Sequence, residues 1–237
     1  MKSGQGNWQR ILAVMVVVVG VMMAGTIPVA QAANVIPRNE NAYGNSYGEW
    51  SARWVQWLLS IPAATNPAAD LTGAHCGEGQ AGPVWFLAGT FGGSATRDCT
   101  VPAGKALFFP IVVTMWGAGV FDCEPTVPGV PCNLAALRGI AAASVDSVTL
   151  EASIDHKRLK DLTNQRVQAP AYTITYPADN VYGLPAGIYA PNVADGYWIM
   201  IPPLSAGKHS IHFKGEITGG VFAGFVVEVT YHLTIEP

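Results

Sequence analysis

The chain has 237 residues, of which 50% are hydrophobic and only 12% are charged, and its formal net charge is −3 at pH 7. This length fits one large all-β domain behind a leader segment, and the 26 glycines and 17 prolines are typical of strand-rich and turn-rich proteins rather than helical bundles. The acidic balance and the scarcity of Lys and Arg argue against nucleic acid and anionic membrane surfaces as partners.

The first 32 residues predict a secretory signal peptide. Lys2 and Arg10 make a positive start, an uncharged apolar run covers residues 11–25, and residues 30–32 have the small-x-small pattern of a cleavage site. The run is shorter than the roughly 20 residues that cross a bilayer, so we expect no membrane span after cleavage. The sequence therefore predicts export to the periplasm or the medium, with a mature chain that begins at Ala33.

The chain contains four cysteines, Cys76, Cys99, Cys123 and Cys132, an even number for a protein predicted to reach an oxidising compartment. Three pairings are possible. The spacing favours two local disulfides, Cys76–Cys99 and Cys123–Cys132, because the loop between the last two is rich in proline and glycine. A zinc site is the less favoured alternative, since the chain has no Cys-x-x-Cys pair.

A helix is predicted directly after a loose lead-in over residues 33–45. Ser46 and Glu49 have the spacing of a capping box, and apolar residues then recur at helical spacing until Pro62. We expect the helix to cover residues 46–61. Its apolar positions are Trp50, Trp54, Trp57, Leu58 and Ile61.

Later runs bounded by Gly or Pro predict strands. They cover residues 84–88, 106–113, 148–154, 172–176, 197–201, 209–213 and 225–235. Pro110 requires an edge or a bulge in the second run, and the last run alternates as a strand with one wet face does. A short helix, capped by Asn133, is predicted over residues 133–142.

These elements predict that residues 46–237 form one all-β domain. We expect a two-sheet β-sandwich, immunoglobulin-like or jelly-roll-like, with the Trp-rich helix packed on it and the last run paired with the run before it.

Four strings carry a resemblance: YGEWSARW at residues 47–54, GPVWFLAG at 82–89, VPAGKALFFP at 101–110 and PLSAGKHSIHF at 203–213. Together they resemble a group of exported bacterial proteins that have a signal peptide and no known activity. The likeness spans most of the mature chain. It implies export and a β-rich fold, and it carries no catalytic residue, cofactor or ligand over to this chain.

Aromatic residues are the candidates for ligand binding. Tyr47, Tyr182, Tyr189, Tyr197 and Trp198 lie among Gly, Pro and Asn residues and predict an exposed recognition surface. The three helix tryptophans are an alternative platform for sugar stacking, but their i, i+4, i+7 spacing favours the core side of the helix.

Two histidines suggest a metal site. Alternation puts His212 and His232 on the outer face of two strands that are predicted to be neighbours, with Glu228 on the same face. Cross-strand side chains lie about 5 Å apart, close enough to share a transition metal. A solvated polar face is the favoured interpretation, so no cofactor is expected, and a divalent transition metal is the alternative.

Polar residues near the predicted Cys76–Cys99 disulfide form a further candidate group. His75, Glu78, Arg97 and Asp98 would place acid, base and cation in one patch, although loop decoration is the favoured interpretation. Ser46 matches the G-x-S-x-G pattern of hydrolases, but no buried strand precedes it and it already serves as the helix cap.

The sequence therefore predicts an exported, disulfide-stabilised binding protein without a catalytic residue. The expected ligand is a glycan or an envelope or extracellular protein, and the oligomeric state stays open. The alternatives are a secreted hydrolase or metal-dependent enzyme, and a structural subunit of a surface assembly.

Overall fold

A computed structural model describes residues 35–117 and 133–237, so the predicted signal peptide and the predicted Cys123–Cys132 disulfide lie outside the described residues. Two helices and ten strands form in this part of the chain. In chain order the elements are α1 Tyr47–Leu59, β1 Val84–Phe86, β2 Gly93–Pro102, β3 Ala106–Gly117, α2 Leu134–Ser144, β4 Val148–Ile154, β5 Lys157–Arg158, β6 Arg166–Gln168, β7 Tyr172–Tyr176, β8 Gly187–Ile201, β9 Gly207–Ile217 and β10 Val226–Glu236.

The capping box predicted at the start of α1 is confirmed. The Ser46 hydroxyl accepts a hydrogen bond from the Glu49 backbone N–H at 3.3 Å, and Glu49 Oε2 accepts from the Ser46 N–H at 2.7 Å. The hydrogen bond from the Ser46 backbone, and then that from its hydroxyl, hold the pKa of Glu49 below its ordinary value. The helix ends at Leu59, two residues before the predicted end, and Ser60 caps it.

The two-sheet β-sandwich is confirmed. One sheet has the order β1-β3-β8-β6, with β7 also paired to β8, and the other has the order β2-β10-β9-β4-β5. β10 pairs antiparallel with β9, the preceding strand, as predicted. However, β1 runs parallel to β3 and β2 runs parallel to β10. The other six pairs of neighbouring strands are antiparallel, which is the usual pairing in immunoglobulin-like and jelly-roll-like sandwiches.

Helix α1 covers the outer face of the first sheet, which confirms its predicted role. Trp50, Trp54 and Trp57 are all buried. Trp54 meets Trp198 of β8 edge to face at 5.5 Å between ring centroids, and Trp198 stacks on Phe108 of β3 at 5.2 Å. The helix tryptophans therefore belong to the core, and the sugar-stacking alternative has no exposed platform here.

Two strand features differ from the sequence expectation. β2 was not predicted, because only Val101 among its inward side chains is a typical strand residue, and Arg97 takes another inward position. β8 extends back to Gly187, ten residues before the predicted start of that run. The expected irregularity at Pro110 is confirmed as a register shift between Pro110 and Val112 in the pairing of β3 with β8.

The predicted second helix is also confirmed as α2. Asn133 Oδ1 caps it by accepting a hydrogen bond from Ala136 N at 2.8 Å. Arg166 ties its carboxyl end to the sheet, since the guanidinium donates to Ala142 O at 2.8 Å and to buried Asp195 at 2.9 Å. Neither α1 nor α2, nor any other helix of residues 35–117 and 133–237, has the length and hydropathy of a membrane span.

Candidate functional site

A cavity of about 290 Å³ lies beside β3, where the two layers of the core meet. Helix α1 contributes Trp54 and Leu58, and the first sheet contributes residues 110–116 of β3. From the second sheet, Ile217 of β9, Val227 of β10 and Phe225 in the loop between these strands also line the cavity. The volume is about twice that of an engineered 150 Å³ cavity that binds benzene.

The lining of this cavity is apolar, and none of the described residues around it carries a charge. Of its hydroxyls, that of Thr90 donates to Gly93 O at 3.2 Å and that of Thr114 donates to Ala141 O at 3.0 Å. Burial raises the pKa of Tyr182 to about 12, so the phenol stays neutral at physiological pH. The cavity therefore suits an uncharged apolar group. Its aromatic residues are Trp54, Phe91, Trp116, Tyr182, Phe222 and Phe225.

A tight turn positions Tyr182 at this cavity. Asn180 Oδ1 accepts from the backbone N–H groups of Tyr182 and Leu184 at 3.2 and 3.1 Å, as an Asx turn does. The Tyr182 ring then meets Phe91 edge to face at 6.1 Å and Tyr176 at 6.2 Å. Both contacts hold the ring before any ligand arrives, which lowers the entropy cost of binding.

The structure separates the predicted recognition residues. Tyr182 lines the cavity. Tyr189 does not line it, but packs edge to face on Tyr176, which also contacts Tyr182. Exposure of Tyr197, Trp198 and Tyr47 was a wrong prediction, because they are 5%, 0% and 1% exposed. The physical reason is that residues 192–201 of β8, which include Tyr197 and Trp198, are covered on both faces, by the second sheet and by α1. Tyr47 lies in α1 itself and packs against Phe108 of β3.

Arg97, which is 1% exposed, lies behind the cavity wall. Its guanidinium donates to the carbonyl oxygens of Asp70 and Ala88, each at 2.7 Å, and of Gly89 at 3.0 Å. It also donates to the Tyr231 hydroxyl at 2.8 Å. Burial raises the pKa of Tyr231, and the charge of Arg97 opposes that rise. Since Gly89 lines the cavity, Arg97 fixes part of its wall.

The predicted patch around the disulfide does not form. The Cys76–Cys99 disulfide itself is confirmed, with 6.0 Å between the Cα atoms. Arg97 points inward and the neighbouring Asp98 points to solvent, because adjacent strand residues face opposite sides. His75 uses its backbone N–H to bind the Asp70 carboxylate at 2.9 Å. The backbone oxygen of Glu78 accepts from the Trp57 indole at 2.9 Å.

The two histidines of the suggested metal site have separate partners. His212 Nε2 lies 3.2 Å from Glu228 Oε1, whereas His232 Nδ1 lies 3.3 Å from Asp98 Oδ1. In the register of β9 and β10, His212 faces Thr230 rather than His232. Within the described ranges, no group of three His, Cys, Asp or Glu side chains is placed to hold a metal ion.

A Ser–His–Asp arrangement that the sequence interpretation missed joins two turns. His209 Nδ1 lies 2.8 Å from Asp155 Oδ2, and His209 Nε2 lies 3.3 Å from the Ser205 hydroxyl. However, Nε2 is closer to the Ser205 carbonyl oxygen, at 3.0 Å. A general base needs a free lone pair aimed at the nucleophile, whereas here both ring nitrogens face acceptors. His209 therefore acts as a clamp, that is, a hydrogen-bonded link between the turn at Asp155 and the turn at Ser205.

This clamp is testable. We expect His209→Ala to lower the free energy of unfolding by about 1 kcal/mol and Ser205→Ala to change it by less than about 0.5 kcal/mol, because only the first removes the bond to Asp155. Urea unfolding measures both. Hydrolysis of p-nitrophenyl acetate is the matched assay: a turnover that disappears in Ser205→Ala would instead assign catalysis to these residues.

The Asp70 carboxylate makes the stability of its loop depend on pH. The backbone oxygen of Asp70, in the same loop, accepts a hydrogen bond from Arg97. Partial burial acts to raise the pKa of the Asp70 carboxyl, but hydrogen bonds from the backbone of His75 and Thr72 and from the Thr72 hydroxyl outweigh burial and hold the pKa at about 2. A carboxyl whose folded pKa is depressed stabilises the fold above its unfolded pKa, and this contribution is lost as the pH falls through the folded value.

We therefore expect Asp70→Asn to cost about 1 kcal/mol at pH 7, after allowance for solvent screening, and almost nothing near pH 2. Urea unfolding at a series of pH values from 7 to 2 measures the difference. Asp98→Asn is the matched control, because the Asp98 side chain is 88% exposed and its exchange should cost less than about 0.5 kcal/mol at pH 7. Equal curves for the two variants would contradict the assignment.

Comparison with known proteins adds no function to this geometry. No protein-family model, no curated protein and no solved structure matches the chain. The resemblance to exported bacterial proteins therefore stays a prediction, and a functional assignment has to come from the cavity.

Proposed function

We propose that the protein is exported and acts as a binding protein, without catalysis, whose ligand inserts an uncharged apolar group into the cavity beside β3. The observation that carries the proposal is the apolar, aromatic-rich lining of a cavity of about 290 Å³. Apolar cavities with few polar groups are the usual form of ligand sites. Export is supported by the Cys76–Cys99 disulfide, since disulfides persist in oxidising compartments, and by the predicted signal peptide.

The same lining favours an apolar ligand over a glycan. Sugars need several convergent hydrogen-bonding side chains in addition to aromatic faces. The hydroxyls of Thr90 and Thr114 are already bound to backbone oxygens, and no charged or amide side chain lines the cavity in the described part of the chain. An apolar segment of an envelope or extracellular protein is therefore the better of the two expected ligands.

A titration with the neutral fluorescent probe N-phenyl-1-naphthylamine tests the proposal. We expect saturable binding at one site. Phe91→Ala should weaken it about five-fold to ten-fold, because a lost aromatic contact costs about 1 kcal/mol or slightly more. Phe91 is 40% exposed, so its truncation should leave the fold intact.

Ile188→Ala is the matched control, since Ile188 is apolar, 76% exposed and outside the cavity. It should leave the affinity for the probe unchanged. Absence of saturable binding, or equal weakening by Ile188→Ala and Phe91→Ala, would contradict the proposed site.

A further inference from the structure

The cavity lies along a sheet edge that no described strand occupies. β1 pairs with β3 only from Ala106 to Phe108, whereas the opposite edge of β3 pairs with β8 as far as Gly117. The last bond on the β1 side is from Leu87 N–H to Phe108 O, at 3.0 Å. From residue 109 to 115, no described strand pairs with this edge of β3.

Pro110 explains why the pairing with β1 stops. Ala106 N–H donates to Pro83 O at 3.0 Å and Phe108 O accepts from Leu87, so both residues face β1. Residues two apart face the same edge, and the next one is Pro110, which has no N–H to donate. The bulge follows between Pro110 and Val112. The chain of β1 departs at this point, and the cavity opens where its continuation would lie.

The lining shows that the cavity faces this edge rather than one side of the sheet. A sheet face would contribute every second residue of a strand, because successive side chains point to opposite faces. Here every residue from 110 to 116 lines the cavity. The backbone of residues 112–115 therefore borders an apolar space, in which unpaired N–H and C=O groups are costly. The Ile111 carbonyl, in contrast, packs against Gly215 of β9.

We propose that the ligand of this site is an extended peptide segment of a partner protein, which adds as a strand to residues 111–115 of β3. This inference rests on the proposed function and names its ligand class. A peptide supplies alternating donors and acceptors at strand spacing, as well as side chains for the cavity, which a lipid chain does not. Five residues span about 17 Å.

The lining also defines the side chains of that segment. The cavity is apolar and uncharged among the described residues, so the inward positions of the peptide carry Val, Ile, Leu or Phe. Its other positions alternate with these and point to the opposite face of the sheet. Affinity would come from the backbone ladder, and selectivity from the apolar positions.

Two synthetic peptides test this inference on the purified protein. One is acetyl-Thr-Val-Thr-Phe-Thr-Val-amide, and the other has the same side chains with alternate backbone nitrogens methylated. We expect the first to displace N-phenyl-1-naphthylamine and to slow amide hydrogen exchange in the peptic fragments that contain residues 111–115. N-methylation should weaken binding at least ten-fold, because it removes the donors of the ladder.

The outcomes separate the two proposals. If the probe binds but neither peptide competes, or if both peptides compete equally, the site takes apolar ligands and strand addition is overturned. If the probe fails to bind and neither peptide changes hydrogen exchange, both the proposed cavity function and the strand addition fail. Protection by the first peptide alone supports strand addition even where the probe binds weakly.

Discussion

Replacement of Arg97 by alanine is expected to lower the free energy of unfolding by about 3–5 kcal/mol, the largest effect of any single exchange considered for this protein. Arg97 is 1% exposed, and its guanidinium donates to backbone oxygens of Asp70, Ala88 and Gly89 and to the Tyr231 hydroxyl. Alanine would leave the backbone oxygens of Asp70 and Gly89 without this donor, whereas Ala88 O keeps the hydrogen bond from the Tyr231 hydroxyl at 2.9 Å. The cost of such orphaned groups is greater than the net worth of the bonds.

Urea unfolding measured by circular dichroism gives the difference directly. Arg97→Lys is expected to fall between the wild type and Arg97→Ala, because an ammonium group keeps the charge but lacks the planar fork that reaches several acceptors. The matched control is Arg158→Ala, since Arg158 pairs with Glu151 at the surface with 76% of its side chain exposed. That exchange should cost less than about 0.5 kcal/mol.

The Arg97 prediction also has a functional side. Because Arg97 binds Gly89 O and Gly89 lines the cavity, Arg97→Lys should weaken binding of N-phenyl-1-naphthylamine even where the fold survives. A stability loss below about 1 kcal/mol for Arg97→Ala would show that water satisfies the orphaned carbonyl groups, and would contradict the role that the structure assigns to the buried guanidinium.

Loss of the Cys76–Cys99 disulfide is expected to cost about 3 kcal/mol. The bridge closes a loop with a sequence separation of 23, and a loop of that length restricts the unfolded chain by roughly this amount. It also joins β2 to the loop whose backbone oxygens bind Arg97. The measurement compares guanidinium unfolding of the wild type with that of the double variant Cys76→Ala, Cys99→Ala.

The control for the disulfide prediction is reduction with dithiothreitol of the variant Cys123→Ala, Cys132→Ala, in which only the Cys76–Cys99 bridge remains to be reduced. Reduction should destabilise that variant by a similar amount without changing any core side chain. An unchanged midpoint in the double variant Cys76→Ala, Cys99→Ala would contradict the prediction. The result bears on the proposed function as well, because export to an oxidising compartment is the setting in which such a bridge forms and persists.

The features that could be predicted from the sequence depend on short-range patterns. The cap of α1 needs only Ser46 and Glu49, three residues apart, and the tryptophans repeat at the helical period. The inward and outward sides of β10 follow from strict alternation, and the structure buries the predicted face. Such patterns encode local geometry and the side that faces the core, so they identified the helices, most strands and the sandwich.

The same patterns gave wrong predictions of exposure where a strand lies between two covered layers. Tyr197 and Trp198 sit in β8 among glycine and asparagine, which suggested an exposed turn. β8 is central, and both faces of its residues 192–201 are covered by elements that are distant in the chain. The burial of Arg97 could not be predicted for the same reason, because its hydrogen-bond partner Tyr231 is 134 residues away in the chain.

The sequence by itself determined the local elements, their apolar faces and the cysteine pair that the described residues contain. Only the tertiary structure decided the parallel pairing of β2 with β10, the inward turn of Arg97 and the cavity beside β3. The physical reason is that a cavity is the space between elements. The position of the cavity depends on where β1 separates from β3 and on how a helix, a loop and the second sheet pack around that point. No short stretch of the chain encodes this packing, because the elements are distant in sequence.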